Sequence, residues 1–215
     1  MEWQIPIQKV EIGNIHMSQP WGRQTGGVLQ KPMVPLSYFG TQFRMPFMSI
    51  LFPPLFILEY NPSTGRLVLD MGISPLACIK FNTLQETLMN AIMGHQGSWF
   101  QTHFTKEEIK DGFQPMIEGS HIVLHCPLHS GVKGNFSVPV YRASVAPVSS
   151  GSNAAPAAEP LKAVQTQLTA NDLRPGQRIR VGVKIHGISF LTNQANAWTG
   201  RCRLQHRLQG VIIVN

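Results

Sequence analysis

Apolar and polar side chains alternate in the stretch Arg178-Ile179-Arg180-Val181-Gly182-Val183-Lys184-Ile185-His186. Successive side chains of a β-strand point to opposite faces, so this alternation predicts a strand that turns one apolar face toward a core. The opposite face then carries the basic residues Arg178, Arg180, Lys184 and His186, and Phe190 joins it if the register continues. Glycine at position 182 is expected to leave room on that face for a flat ligand.

A second strand is predicted after a polar turn at residues 192–200, which contains Trp198. In this strand, at residues 201–214, the pattern places Arg201, Arg203, Gln205 and Arg207 on one face, and Cys202, Leu204, His206 and Leu208 on the other. Paired antiparallel, the two strands place six cations on one surface. Like charges opposite each other destabilise a sheet, so this arrangement favours an anionic ligand.

The net charge of +7 is concentrated in the same part of the chain. Residues 161–215 carry eight Lys/Arg and one acidic residue, Asp172, whereas residues 1–142 carry ten basic and nine acidic residues. Such asymmetry favours a polyanionic partner, nucleic acid before membrane. The candidate nucleic-acid-binding residues are Arg178, Arg180, Lys184, His186, Phe190, Trp198, Arg201, Arg203 and Arg207. The alternative is that the basic residues are merely solvated and the two aromatic rings pack in the core.

Upstream of the hairpin, the patterns predict several strands and two helices. One helix begins at the N-cap Asn82 and ends at Gly94, and a shorter one is capped by Thr105 and Glu108 and ends at Gly112. The predicted strands are 3–10, 52–60, 66–71, 76–80, 121–126 and 135–142, with a turn at 61–65 that joins the second and third.

Composition and motifs exclude several classes of protein. A hydrophobic content of 43% excludes a wholly disordered chain, and a charged content of 13% excludes a coiled coil. Three distant cysteines without a CxxC pair indicate a reducing, intracellular compartment. The sequence does not decide between the nucleus and the cytoplasm. The start lacks the features of a signal peptide, and the apolar run at 45–58 is shorter than a bilayer requires, so no membrane partner is expected.

No motif of an enzyme, cofactor or metal site is found. Nucleotide-binding and nucleophile-elbow motifs are absent, and Glu107, Glu108 and Asp111 read as the exposed face of a helix. The ligand-type residues His121, His125, Cys126 and His129 lie close in sequence. However, the two histidines on the strand would be roughly 13 Å apart, too far to hold one ion. We therefore predict a protein that is not an enzyme and has no metal or cofactor.

The segment from Gly176 to Asn215 combines a basic–apolar strand, a polar loop with an aromatic residue, and a long strand that ends in Gly210-Val211-Ile212-Ile213-Val214. It resembles the last two strands of the OB-fold single-stranded DNA-binding proteins of T7-like phages and of large eukaryotic DNA viruses. The middle of the chain is similar in the order of its elements: strand and helix at 76–94, the Trp99-Phe100 pair, a helix at 105–113 and a strand at 121–127. The resemblance covers about three fifths of the chain as pattern.

This resemblance implies a mostly β fold, an OB-fold-like five-stranded barrel with one or two inserted helices. The parts of the chain are an N-terminal arm and first strand (1–44), a main β domain with the inserted helix (45–142), a linker (143–160) and a basic β-hairpin that completes the same barrel (161–215). The linker is predicted from composition: Ala, Ser, Pro and Gly with one charge indicate a flexible linker or a disordered loop. The implied partner is single-stranded DNA, with RNA as the alternative, and homo-oligomerisation is left open. The chain ends in an apolar stretch, so the resemblance does not extend to recruitment of replication proteins through an acidic tail.

The implied function is sequence-tolerant binding of single-stranded DNA in replication, recombination or repair, through phosphate neutralisation and base stacking. Two alternatives remain: a viral structural or assembly protein with a β-sandwich, and an RNA-binding OB module. In the assembly protein, the basic strands would face a neighbouring subunit or a packaged genome.

Overall fold

The computed structural model describes residues 4–25, 28–41, 44–125, 138–142, 172–195 and 197–214. The predicted linker at 143–160, the candidate ligands Cys126 and His129, and most of the predicted strand at 135–142 lie outside these ranges.

The described residues confirm a mostly β protein with α-helices. The two α-helices are α1 (Pro75–Phe100) and α2 (Lys106–Gly112), and two single 3-10 turns occur at Ile7–Lys9 and Ile12–Asn14. The strands are β1 (Ile5–Pro6), β2 (Ile15–Met17), β3 (Trp21–Thr25), β4 (Val28–Phe39), β5 (Arg44–Met45), β6 (Met48–Leu51), β7 (Leu55–Asn61), β8 (Arg66–Asp70), β9 (Phe113–Gln114), β10 (Ile117–Glu118), β11 (His121–His125), β12 (Val140–Arg142), β13 (Arg178–Thr192) and β14 (Trp198–Val214).

The long strand β13 organises the sheet. Along one edge it pairs antiparallel with β14 over nearly its whole length. Along its other edge it pairs in turn with β7, β6 and β4. From β7 the sheet continues through β8 and β11 to β10, and its hydrogen-bonded path is open. The basic hairpin is therefore built into the centre of the sheet, which holds its backbone in place.

The apolar face of β13 forms the centre of the core, as the alternation predicts. Ile179, Val181, Val183 and Ile185 are fully buried. Helix α1 contributes the ring of Phe81, 5.8 Å from that of Phe52 between centroids. Further buried apolar residues of α1 recur at helical spacing: Ala77, Leu84, Leu88 and Ile92. No helix in the described ranges is both long enough and apolar enough to span a bilayer.

Two buried glutamines of α1 fix the chain that follows the helix. The Gln85 side-chain oxygen accepts a hydrogen bond from the backbone N–H of Met116 at 2.8 Å. The Gln96 amide accepts from the Phe104 N–H and donates to the Phe104 carbonyl at 2.9 Å. An unpaired buried amide costs about 1–3 kcal/mol, so these bonds hold both segments firmly against the helix.

Several predicted elements are confirmed. The hairpin of β7 and β8 pairs antiparallel, with Gly65 at φ 71 in its turn. Helix α2 begins with the predicted capping box, in which Thr105 accepts from the Glu108 N–H while the Glu108 carboxylate accepts from the Thr105 N–H. The strand at residue 121 is also present, as β11.

Three predicted elements are wrong in extent or type. Residues 76–80 form the first turns of α1 and not a strand, because Pro75 at the first helical position and the buried Ala77 continue the spacing of the helix. Asn82 and Gly94 accordingly lie inside the helix, which ends at the left-handed Gln101. The first strand is shorter than predicted, since Ile7–Lys9 is a 3-10 turn.

The 12-residue strand β4 was not predicted within the N-terminal arm. It contains Pro32 and Pro35, and proline normally argues against a strand because it cannot donate to the ladder. β4 nevertheless pairs with β2, β3, β5 and β13 along different parts of its length. The arm is thus an integral part of the sheet.

Candidate nucleic-acid interface

The register of β13 and β14 places six basic residues on one face of the hairpin. Lys184 lies opposite Arg207, and Ser189 lies opposite Arg203. Arg178 and Arg180 lie opposite Val214 and Ile212. Directly paired residues of an antiparallel ladder point to the same side, so these residues share a face. We call it the cationic face: Arg178, Arg180, Lys184, Arg201, Arg203 and Arg207.

The arginines of the cationic face are not neutralised by the rest of the described chain. All five are exposed, and none of their guanidinium groups forms an ion pair or a hydrogen bond with a described residue. The ion pair of Arg66 with Glu59 lies elsewhere, on β8 and β7. Lys184 is half-buried, and its Nζ lies 3.1 Å from the centroid of the Phe47 ring. The five arginines therefore keep a positive charge that no described residue neutralises.

The predicted place of Phe190 on the cationic face is wrong. A bulge lies between Ile185 and Gly187, with His186 as the extra residue, and it reverses the alternation beyond this point. Phe190 consequently pairs with the buried Cys202 and is only 4% exposed. His186, predicted to lie on the basic face, is the half-buried residue of the bulge and has no directly paired position on β14.

The predicted stacking role of Trp198 is also contradicted by its burial. The ring is 3% exposed, and its Nε1 donates to the Arg201 carbonyl at 2.9 Å. It belongs to an aromatic cluster in which the ring centroids of Phe190 and Phe104 lie 5.3 and 4.9 Å from that of Trp198. Phe100 joins the same cluster, 4.7 Å from Phe190. A ring packed in this way cannot stack on a ligand base.

The room predicted at Gly182 is occupied by the chain itself. A Cβ atom built on Gly182 would approach the Gln4 side chain, whose Nε2 donates to Gln209 Oε1 at 3.3 Å. The Gln4 side chain therefore covers the face between Arg180 and Lys184. It divides the cationic face into a short end with two arginines and a long end with the other four cations.

Two exposed aromatic residues that were not predicted lie on the cationic face. Phe56, 39% exposed, is directly paired with Arg178. Trp21 is 56% exposed and pairs with Met33. Met33 pairs with Ser189, which pairs with Arg203, so Trp21 and Arg203 lie in one row across four strands. Strands at about 4.8 Å spacing put Trp21 roughly 14 Å from β14. Because both rings come from strands distant in sequence, no local pattern identifies them.

A groove of about 680 Å³ runs along the long end of the cationic face. Its apolar lining includes Met33 and Leu191, and its polar lining comprises Gln114, Ser189, Arg201, Arg203 and Gln205. This combination of apolar and basic side chains suits the bases and phosphates of a single strand.

A second cavity, of about 570 Å³, adjoins the groove and shares Gln114, Arg203 and Gln205 with it. We call it the seam pocket, because it lies between β11 and β14. His206, in its wall, stacks on His125 with ring centroids 6.4 Å apart. Burial lowers the pKa of His206, and the charges of His125 and Arg203 lower it further, against a backbone hydrogen bond to Leu204 that raises it.

No metal site is formed by the described part of the chain, in which no three His, Cys, Asp or Glu side chains come together. The comparisons with known proteins found no match for this chain among family models, curated proteins or solved structures.

Proposed function

We propose that this protein binds single-stranded DNA, without strong sequence preference, across the cationic face. The observation that carries the proposal is that five exposed arginines share one face with Lys184, and no carboxylate of the described residues pairs with any of these arginines. Guanidinium groups bind phosphate in a bidentate manner, and each neutralised phosphate releases counterions. Replication, recombination or repair would be the setting in which such binding is used.

The stacking part of the mechanism is assigned to Trp21 and Phe56. Base–aromatic stacking tolerates any sequence, because every base has a π-face. Both rings are exposed on the side of the sheet that carries the cationic face: Phe56 is paired with Arg178, and Trp21 lies in the row of Arg203. Phe190 and Trp198, in contrast, are buried. A strand on this face would therefore meet cations from β13 and β14 and rings from β3 and β7.

We further propose that β7, β8, β11, β13 and β14 correspond to the five strands of an OB-type barrel that is open at one side. These strands follow one another in the sheet, and β11 approaches β14 without a described ladder between them. Helix α1, whose Phe81 and Phe100 pack against Phe52 and Phe190, would close the bottom of such a barrel.

Removal of two arginines tests the proposal against a matched control. Arg203→Ala combined with Arg207→Ala should weaken binding of an oligo-dT strand at least about tenfold at low salt, because two charge-assisted contacts are lost. The salt dependence should become shallower by about 1.4 in the slope of log affinity against log salt. The control, Lys106→Ala with Lys110→Ala on α2, removes the same charge from a separate cavity, which both lysines line together with residues of α1. Equal behaviour of the two double variants would contradict the proposal.

An assembly protein is the second candidate, favoured by an exposed apolar patch at the start of α1. Ile73, Leu76 and Ile79 are 42%, 74% and 62% exposed. Sedimentation of the nucleic-acid-free protein separates the two functions, since discrete assemblies without affinity for oligonucleotides would favour assembly. Competition between DNA and RNA strands of equal length decides between the DNA-binding and the RNA-binding function.

A further inference from the structure

The seam pocket offers hydrogen-bonding groups that the described chain leaves unused. On its outer edge, β14 pairs with β9 at Cys202 and Arg203 and with β12 from Val211 to Ile213. Between these two ladders, from Leu204 to Gly210, this edge has no partner strand among the described residues. The backbone groups of that edge face β11 across the pocket, where they can bind a polar ligand.

Side chains add acceptors, donors and a ring to this edge. The Gln114 amide and the Glu118 carboxylate have no hydrogen-bond partner within the described ranges, and both are exposed. The Nε2 atom of His206 is buried and also without a described partner. The His125 ring is exposed and lines the same wall. A flat heterocycle needs such a combination of an aromatic face and in-plane polar groups.

The size and position of the pocket match one nucleotide. A volume of about 570 Å³ lies within the range of small-molecule sites, roughly 300–1,000 Å³. Arg203 and Gln205 line both the pocket and the groove, so a strand in the groove passes directly over the mouth of the pocket. Arg203 is placed to hold the phosphate at the crossing point.

The acid in the pocket selects among bases. Glu118 can accept a hydrogen bond from an exocyclic amino group, such as that of cytosine. The one donor of thymine, N3–H, lies between two carbonyl groups, whose oxygens repel a carboxylate. Of the two arginines that line the pocket, Arg66 is already paired with Glu59, and Arg203 lies where the pocket meets the groove. The pocket is therefore complementary to a base that carries an amino group.

We propose that the seam pocket takes one unstacked nucleotide of the bound strand, with its amino-bearing base at Glu118 and His125 and its phosphate at Arg203. This inference rests on the proposed single-strand binding. It adds one position of base preference to an interface that otherwise tolerates any sequence.

The test compares oligo-dT with the same strand carrying one central cytosine, by fluorescence anisotropy at fixed salt. The wild-type protein should bind the cytosine strand about tenfold more tightly, the size of one good base contact. Glu118→Ala should abolish this ratio while oligo-dT binding is kept or strengthened, because a negative charge is removed. Glu107→Ala, an exposed acid on α2, is the matched control and should keep the ratio.

The outcomes distinguish failure of the seam-pocket site from failure of the proposed single-strand binding. Salt-dependent binding of both strands with a ratio of one in the wild-type protein would overturn the seam-pocket site and leave the cationic face intact. A ratio that survives Glu118→Ala would also overturn it. Absence of binding to either strand would instead overturn the proposed function.

Discussion

At the scale of the residue, the alternation of β13 predicts correctly which face carries the arginines and Lys184, but it places Phe190 on the wrong face. The reversal at His186 occurs where β13 exchanges its neighbour β6 for β4. There Gly187 passes so close to the β4 backbone that a Cβ atom would clash with the Val34 carbonyl. The contact joins residues about 150 positions apart, so no pattern of neighbouring residues predicts the bulge. Phe190 is buried because of it.

His206 should make the stability of the protein depend on pH. Its pKa is lowered in the folded state, chiefly by burial, and returns to about 6.5 in the unfolded chain. His206 therefore binds a proton more readily in the unfolded chain than in the folded protein. The free energy of unfolding falls as the pH drops below about 6.5. The urea midpoint should be lower at pH 5.5 than at pH 7.5, and His206→Gln should reduce that difference.

The control for this experiment is His121→Gln, the same change at an exposed residue of β11. It should leave the difference between the two midpoints as in the wild-type protein. If His206→Gln also leaves it unchanged, burial of the imidazole does not govern the pH dependence.

At the scale of the element, the sequence predicts a strand or a helix best where neighbouring residues determine both its hydrophobic pattern and its ends. The capping box of α2 and the turn of the β7–β8 hairpin are local and were predicted. Strand β4 was missed because Pro32 and Pro35 argue against a strand, and only its changing partners explain how both are accommodated. With β4 missed, the position of Trp21 on the cationic face could not be predicted either.

Two tryptophan variants separate stacking from packing. Trp21→Ala should weaken binding of oligo-dT by roughly 1–3 kcal/mol, because an exposed ring is lost from the face. The free energy of unfolding should change little. Trp198→Ala should lower the free energy of unfolding by about 3–5 kcal/mol, because it opens a cavity in the aromatic cluster. Anisotropy and urea unfolding give both values for each variant.

The contrary result is a Trp198→Ala protein that remains as stable as the wild type and loses affinity, while Trp21→Ala binds normally. That result would place the bound base at the turn of the hairpin and not on β3.

At the scale of the whole molecule, the distribution of charge was predictable and the assembly of the sheet was not. The acid-poor region after residue 160 supplies the cations, and the strands before residue 142 supply the exposed rings. The groove and the seam pocket have walls from both parts of the chain. Because β13 is paired along both edges, the backbone that carries its cations is fixed before a ligand arrives, and no backbone ordering is needed on binding.

The central claim is that the cationic face neutralises the phosphates of a single strand, and the salt dependence of wild-type binding tests it most directly. Oligo-dT affinity, measured at several salt concentrations, should fall linearly on a logarithmic plot. With about −0.7 per neutralised phosphate, six cations predict a slope that approaches about −4. A slope near zero, or no binding at low salt, would contradict the claim.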